Sequence, residues 1–351
     1  MKSHSTLTFS NELPPAKKLG EELLLIYDQI LAQKSSAFKK WSKQIPLKYA
    51  VKAGEQLKDI EQFPRHIKAI TKLTEQTSVK KLTIVVVGGG SVGDFGGFVA
   101  SILKRGVRLI HIPSTWLAAI DSAHGGKTAL NVGGAKNQIG TFYPAQEIMM
   151  VRSVLMSQPE GRAYEGFGEL VKIALIEGGK LWNSLAKERQ VNSKILWKHL
   201  ESAVKAKYKV VAKDPEEKKG IRHVLNLGHT VGHVLESYYE LPHGIAINYG
   251  LDFALRFGVQ KKIMKPSEAE KIFSEPVMGY LMSPLRDDLI SIKSHDLKEY
   301  RRLLLNDKKK TKAETLRFVF VAKPGKTVIQ EVSVDDLLIE LCRQREEELH
   351  G

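Results

Sequence analysis

Apolar and polar positions alternate in blocks through the first part of the chain, short apolar runs being followed by stretches of helical character. Leu23 to Tyr27 is an apolar run ending at Asp28, Lys34 to Trp41 begins a basic helical stretch, and Pro46 to Val51 is a weaker strand followed by a turn at Lys52-Ala53-Gly54-Glu55. The strongest strand is Leu82 to Val87, a continuous apolar run of the sort that a parallel sheet buries on both faces. Val107 to Ile112 is another and stops at Pro113. Strands alternating with helices predict a parallel sheet joined by right-handed crossovers. From about Leu155 the period becomes helical: Tyr164 to Ile176, Ile195 to Val211, Gly228 to Tyr239, Ala246 to Phe257 and Leu297 to Leu305. A late strand, Leu316 to Ala322, and a capped terminal helix from near Ser333 complete the pattern. The expected architecture is an α/β domain over 1–150 and a mostly α-helical domain over 151–351, with a ligand cleft between them.

Composition narrows the class. With 42% apolar and 26% charged residues in 351, the chain is an ordinary globular one that can bury two cores. Its start has no apolar signal core, and no apolar run nears the roughly 20 residues of a membrane helix, so a cytoplasmic enzyme is expected and a membrane is not. The single cysteine, Cys342, falls in a charged terminal helix with no nearby histidine and reads as incidental. A net charge of +15 favours anionic company. The densest basic run, Lys308-Lys-Lys-Thr-Lys312, carries no aromatics for base stacking, so a small phosphorylated or carboxylated molecule is expected rather than nucleic acid.

Three constellations carry chemistry. His229 and His233 stand at i and i+4, ten residues before His243, a spacing suited to a metal or an anionic substrate, or to histidines satisfied by backbone and solvent. Glu169 and Lys172 fall three apart, as an ion pair or as part of that site; a Glu with two His leaves open positions on a catalytic metal. After the Leu82 strand comes Gly88-Gly-Gly-Ser-Val-Gly-Asp-Phe-Gly-Gly-Phe, where Gly88, Gly90 and Gly93 satisfy a nucleotide-binding turn. The ribose-reading acid expected about 20 residues on is missing, which leaves Asp28 or Glu55 for that contact, or a turn that only lets a helix pack closely. Asp121, Lys127, Lys136 and Asn137 lie in glycine-rich segments expected to be non-helical, where charges can be aimed at a ligand.

Together these segments resemble the 3-dehydroquinate synthase family, within the sugar-phosphate cyclases. The resemblance runs from about Asp28 to Lys310 on GGGSVGDFGGFVAS, RG followed by PST, DSAHGGKT, GAKNQIGTFYP, GELVK, and RHVLNLGHTVGH with a following HG. It implies Zn²⁺ or Co²⁺ held by Glu169, His229 and His243. Asp121, Lys127, Asn137, Lys172, Arg222, Asn226 and His233 fall on catalytic or substrate positions, as does Lys207 if anchored on Val210-Val211, and Lys308 or Lys309 on the phosphate side. NAD is implied on Asp28, Glu55, Lys58, Gly89, Gly90, Asp94, Ser114, Thr115 and Lys136. Arg105 would reach a neighbouring subunit's site in a homodimer.

The chemistry implied is conversion of 3-deoxy-arabino-heptulosonate 7-phosphate to 3-dehydroquinate and phosphate in the shikimate pathway, by a phosphate-eliminating carbon–oxygen lyase. NAD would be reduced and reoxidised on one bound substrate between oxidation and reduction, with phosphate elimination in between and an aldol closure last. The chain departs from the family in three places. HGEAV reads His243-Gly-Ile-Ala-Ile247, Thr-Leu-Pro-x-Arg-Glu reads Ser157-Gln-Pro-Glu-Gly-Arg162, and the usual first β-hairpin is hard to see before Leu23. Other readings are a cyclase for another sugar phosphate such as sedoheptulose 7-phosphate, a metal-dependent alcohol or glycerol dehydrogenase, and a non-catalytic NAD-binding or basic scaffold protein.

Overall fold

Leu82–Gly88, every residue of it buried, becomes a central strand of a six-stranded sheet in which all strands run parallel. The computed structural model describes residues 5–282, 296–306 and 314–350, and the chain divides into two units, 1–162 and 163–351. In unit 1 the strands are β1 (Thr6–Ser10), β2 (Glu22–Asp28), β3 (Leu47–Val51), β4 (Leu82–Gly88), β5 (Arg108–Pro113), β6 (Lys127–Val132), β7 (Ala135–Phe142) and β8 (Glu147–Val151). The sheet order is β1-β8-β5-β4-β2-β3, while β6 and β7 form a separate antiparallel hairpin.

Both faces of the sheet are covered, as the continuous apolar runs require. Alternate residues Leu23, Leu25, Val85, Val87, Ile110 and Ile112 share one face with Phe38 and Trp41. On the other face lies α2 (Gly90–Ile102), which follows α1 (Phe63–Leu73) in the chain; a Cβ at Gly96 would stand 2.5 Å from Val86. From β2 the chain places β3 on one side and then crosses to β4 on the other, so the carboxyl ends of β2 and β4 flank the point where strand order reverses. In open α/β sheets that edge is where ligands bind.

Several expectations for unit 1 are corrected. The stretch from Lys34 to Trp41 is two short helices, Gln29–Lys34 and Ser36–Ser42, because Ser35 adopts extended backbone and caps the second through Phe38 N–H. A first strand does exist before Leu23, but β1 pairs parallel with β8 rather than in a hairpin. Asp121 sits in a π-helical turn, Ala118–Ser122, and not in non-helical backbone; Lys127, Lys136 and Asn137 lie on β6 and β7.

Unit 2 is helical, with α3 (Ala163–Glu177), α4 (Ser193–Val211), α5 (His229–Tyr239), α6 (His243–Gln260), α7 (Leu297–Asn306) and α8 (Val334–His350), plus an antiparallel ribbon of β9 (Thr315–Lys323) and β10 (Lys326–Ser333). Alternate residues Phe318 and Phe320 of β9 stack against Phe257 of α6. The terminal helix is capped as its sequence predicts, with Ser333 Oγ accepting the Asp336 N–H. Glycine lets the central helices meet at backbone distance: a Cβ at Gly244 of α6 would fall 2.1 Å from the Glu165 carbonyl of α3, and one at Gly250 would fall 1.8 Å from that of Gly228. No helix among the described residues is long and apolar enough to cross a membrane.

Candidate functional site

The close α3–α6 crossing brings Glu169 to the histidines. Glu169 and Lys172 are 0% and 1% exposed, so their pair is a buried one rather than a solvated surface contact. His229 opens α5 directly after Gly228, whose φ of +78° is a left-handed conformation that glycine tolerates, and His243 opens α6 after Pro242. His229 Nε2 stands 3.4 Å and His243 Nε2 3.8 Å from Glu169 Oε1. Two ligands of one tetrahedral ion with bonds near 2.05 Å stand about 3.3 Å apart, so these donors have close to the spacing that a shared cation imposes.

The ring tautomers agree with that. His229 Nδ1–H donates to the Leu227 carbonyl at 3.1 Å and His243 Nδ1–H to Glu236 Oε2 at 2.7 Å, which leaves both Nε2 atoms facing Glu169. Burial, together with the Lys172 charge, pushes His229 down to about 3, so it is neutral at physiological pH as a ligand must be. Burial also opposes charge on His243, but the neighbouring Glu169 and Glu236 carboxylates outweigh it and raise that ring to about 10 while no ion competes with the proton. His233 completes the group, its ring centroid 5.1 Å from that of His229 and 5.9 Å from that of His243. Nothing in the sequence singled out Glu236, although its i+7 offset from His229 places it on the same face of α5.

Lys207 on α4 and Arg222 in the 3₁₀ turn Ile221–Asn226 are also buried, at 4% and 5% exposure. Asp214, which the sequence reading missed, organises the loop before that turn. Its carboxylate accepts the N–H groups of Lys219 and Ile221, each at 3.0 Å, and Arg222 Nη1 donates to the Pro215 carbonyl at 2.9 Å. Burial would raise the Asp214 carboxyl, but these backbone donors hold it below the usual carboxylate range. Asn226 Nδ2 lies 3.3 Å from His223 Nδ1, and His223 Nε2 donates to the Arg317 carbonyl on β9 at 2.9 Å.

In unit 1 the residues expected at a dinucleotide gather at the carboxyl edge of the sheet. Gly89 and Gly90 form the turn after β4, and Ser114 N–H donates to the Gly88 carbonyl at 2.9 Å. The glycines answer close approach rather than unusual dihedrals: a Cβ at Gly89 would stand 3.0 Å from Thr115 and one at Gly90 3.1 Å from Ser122, whereas Gly96 and Gly97 serve packing. Asp28 ends β2, where its carboxylate accepts Ile30 N–H at 3.2 Å.

Lys58 joins the cofactor and substrate sets of the sequence reading. Its buried ammonium lies 2.7 Å from Asp94 and 2.6 Å from Asn137 Oδ1 on β7. Asn131, which the sequence did not single out, donates to Glu55 at 2.7 Å and accepts Asn137 N–H at 2.9 Å. Burial raises the Asp94 carboxyl, and the Lys58 charge only partly counters it. Lys127 and Lys136 are exposed on the hairpin. Arg105 is not brought to this edge: it lies past the far end of α2, whose 13 residues span about 20 Å. Lys308 and Lys309 lie outside the described residues.

Families described as 3-dehydroquinate synthase N-terminal and 3-dehydroquinate synthase C-terminal match residues 48–165 and 166–310. The chain is 32% identical over 352 residues to the 3-dehydroquinate synthase of Leptospira interrogans serogroup Icterohaemorrhagiae serovar copenhageni, covering 97% of this chain and 94% of the relative. It is 36% identical over 287 residues to a bifunctional shikimate kinase/3-dehydroquinate synthase of Thermotoga maritima, which covers 81% of this chain but only 56% of that longer protein. Among solved structures, the 2-epi-5-epi-valiolone synthase of Streptomyces hygroscopicus subsp. jinggangensis, with NAD⁺ and Zn²⁺ bound, superposes with a TM-score of 0.83 at 19% identity, over 98% of this chain and 97% of its own. That likeness bears on the fold. From the two adjoining family matches and the near full-length relative, the chain belongs to the 3-dehydroquinate synthase family.

Proposed function

We propose that the protein is a 3-dehydroquinate synthase, a phosphate-eliminating carbon–oxygen lyase that converts 3-deoxy-arabino-heptulosonate 7-phosphate to 3-dehydroquinate and phosphate. The observation that carries the reading is the convergence of Glu169, His229 and His243 beside the buried Lys172, in a chain whose relatives bear that name over almost its whole length. Glu169, His229 and His243 would hold a divalent ion, Zn²⁺ or Co²⁺, and Asp28, Glu55, Lys58, Gly89, Gly90, Asp94, Ser114, Thr115 and Lys136 would hold NAD. When bound, the cation supplies Lewis acidity and NAD a hydride acceptor that is regenerated within each turnover.

The chain's own residues position and neutralise the substrate. Lys172 and Lys207 present fixed positive charge to oxygens that gain negative charge, at low exposure where such charge acts most strongly. Arg222, its guanidinium anchored on Pro215, suits a carboxylate, and Lys127, Asp121 and Asn137 would be further substrate contacts. His233, Asn226 and Lys308 would face the phosphate, with Arg105 supplied by a neighbouring subunit of a homodimer. A cytoplasmic location fits the same reading.

A second reading, in which the sugar phosphate lacks the carboxylate as sedoheptulose 7-phosphate does, rests on Ile245, which stands two residues past His243 on α6 where the family pattern has Glu. Comparing kcat/KM for the two sugars, followed by phosphate release, separates them. The heptulosonate is expected to be preferred by about a hundredfold, and Arg222→Ala to erase most of that preference. Preference for sedoheptulose 7-phosphate by the wild type would overturn the substrate assignment. NADH absorbance during turnover is expected to stay flat; accumulation matched to substrate loss would transfer the protein to the dehydrogenase reading.

A further inference from the structure

Glu236 lies seven residues before His243, three after His233 and seven after His229, so α5 carries two histidines and this carboxylate along one stripe. Its Oε2 is 2.7 Å from His243 Nδ1, with the Glu236 side chain 18% and that of His243 28% exposed. We infer that Glu236 is the positioning residue of the metal centre: its carboxylate holds the His243 ring with the proton on Nδ1 and the Nε2 lone pair aimed at the ion. The inference rests on Glu169, His229 and His243 being the ion's ligands.

The physical reason is specific to this ring. A neutral imidazole carries one proton on two nitrogens, and a fixed acceptor at Nδ1 decides which nitrogen keeps a lone pair while also making that lone pair more basic. His229 receives a neutral acceptor, the Leu227 carbonyl, from its own chain turn. His243 begins a helix after Pro242 and is more exposed than His229, so its ring needs a side chain to fix its rotation. Ile245 on the same first turn offers no acceptor. His233, Glu236 and His243 could also be read as three ligands of an ion of their own, since their donor atoms lie within 4.8 Å of one another. The 2.7 Å between Nδ1 and Oε2 argues against it, being a hydrogen-bond length and shorter than the roughly 3.3 Å between two ligands of one tetrahedral ion.

Cobalt titration of the purified, chelator-stripped full chain tests this, read from the visible absorption of bound Co²⁺ and by Zn²⁺ competition. Wild type is expected to take one ion per chain. Glu236→Ala should weaken binding by roughly 10- to 100-fold and alter the cobalt bands, and Glu236→Gln, which keeps an acceptor but loses the charge, should fall between. Metal-free melting of the variants should match wild type; if Glu236→Ala does not fold, Glu236→Gln alone decides. Wild-type affinity and spectrum in a folded Glu236 variant, with binding lost in His229→Ala, would overturn the positioning role alone. Retention of the ion by His229→Ala would overturn the ligand assignment beneath it, and two ions per chain would overturn the hydrogen-bonding role of Nδ1.

Discussion

Gly168 shows how narrowly the candidate metal centre is set by single atoms. It precedes Glu169, and a Cβ there would stand 2.0 Å from Asn248 Oδ1 and 3.1 Å from the Gly244 carbonyl, both on α6. Asn248 is fully buried and neither polar atom of its side chain has a hydrogen-bond partner among the described residues. Gly168→Ala is therefore expected to cost about 1 to 3 kcal/mol by overpacking and to weaken metal binding by shifting Glu169. Asn248→Ala removes an unsatisfied group and should be close to neutral, because burying an unpaired amide is itself unfavourable. Urea unfolding of both single variants and the double variant checks this: the double should recover most of the stability lost in Gly168→Ala, and no recovery would place the strain elsewhere.

At the scale of elements, the packing of α2 on β5 makes the first unit acid-sensitive. His111 of β5 is buried against Gly93 and Gly97 of α2, and burial pushes its ring down to about 4. The folded state thus binds a proton less readily than the unfolded chain, whose histidine titrates near 6.5. Stability from this group is complete above about pH 6.5 and is lost as pH falls toward 4, by roughly 3 kcal/mol between pH 7 and pH 4. His111→Leu should flatten that part of the stability profile, measured by denaturant midpoints across the range. A parallel profile in the variant would mean that His111 is not the group responsible.

The molecule as a whole should be stabilised by a bound ion, because the proposed ligands on α3, α5 and α6 are brought together only in the folded second unit. Ion present at a thousand times its dissociation constant contributes about 4 kcal/mol. Chelation is expected to lower the melting temperature by several degrees and added Zn²⁺ to restore it, while Glu169→Gln should melt at one temperature with or without chelator. Calorimetry decides, and chelator sensitivity that persists in Glu169→Gln would place the stabilising ion at another site.

The sequence by itself determined the parallel sheet and the helical second unit, because continuous apolar runs such as Leu82 to Val87 and helical periods such as Tyr164 to Ile176 are local signals of burial. It also marked Glu169, His229, His233 and His243, whose helical spacing and segment resemblance need no long-range geometry. Only tertiary structure decided what depends on distant residues meeting. The parallel pairing of β1 with β8, the tie from Lys58 to Asn137, the Asp214 cradle behind Arg222 and the bond from Glu236 to His243 each join groups whose proximity no local pattern encodes. Glycine marks the boundary between the two. Its positions in the turn after β4 were plain, but what each lies against was decided by tertiary structure: a Cβ would strike Thr115 and Ser122 at Gly89 and Gly90, and the sheet and hairpin at Gly96 and Gly97.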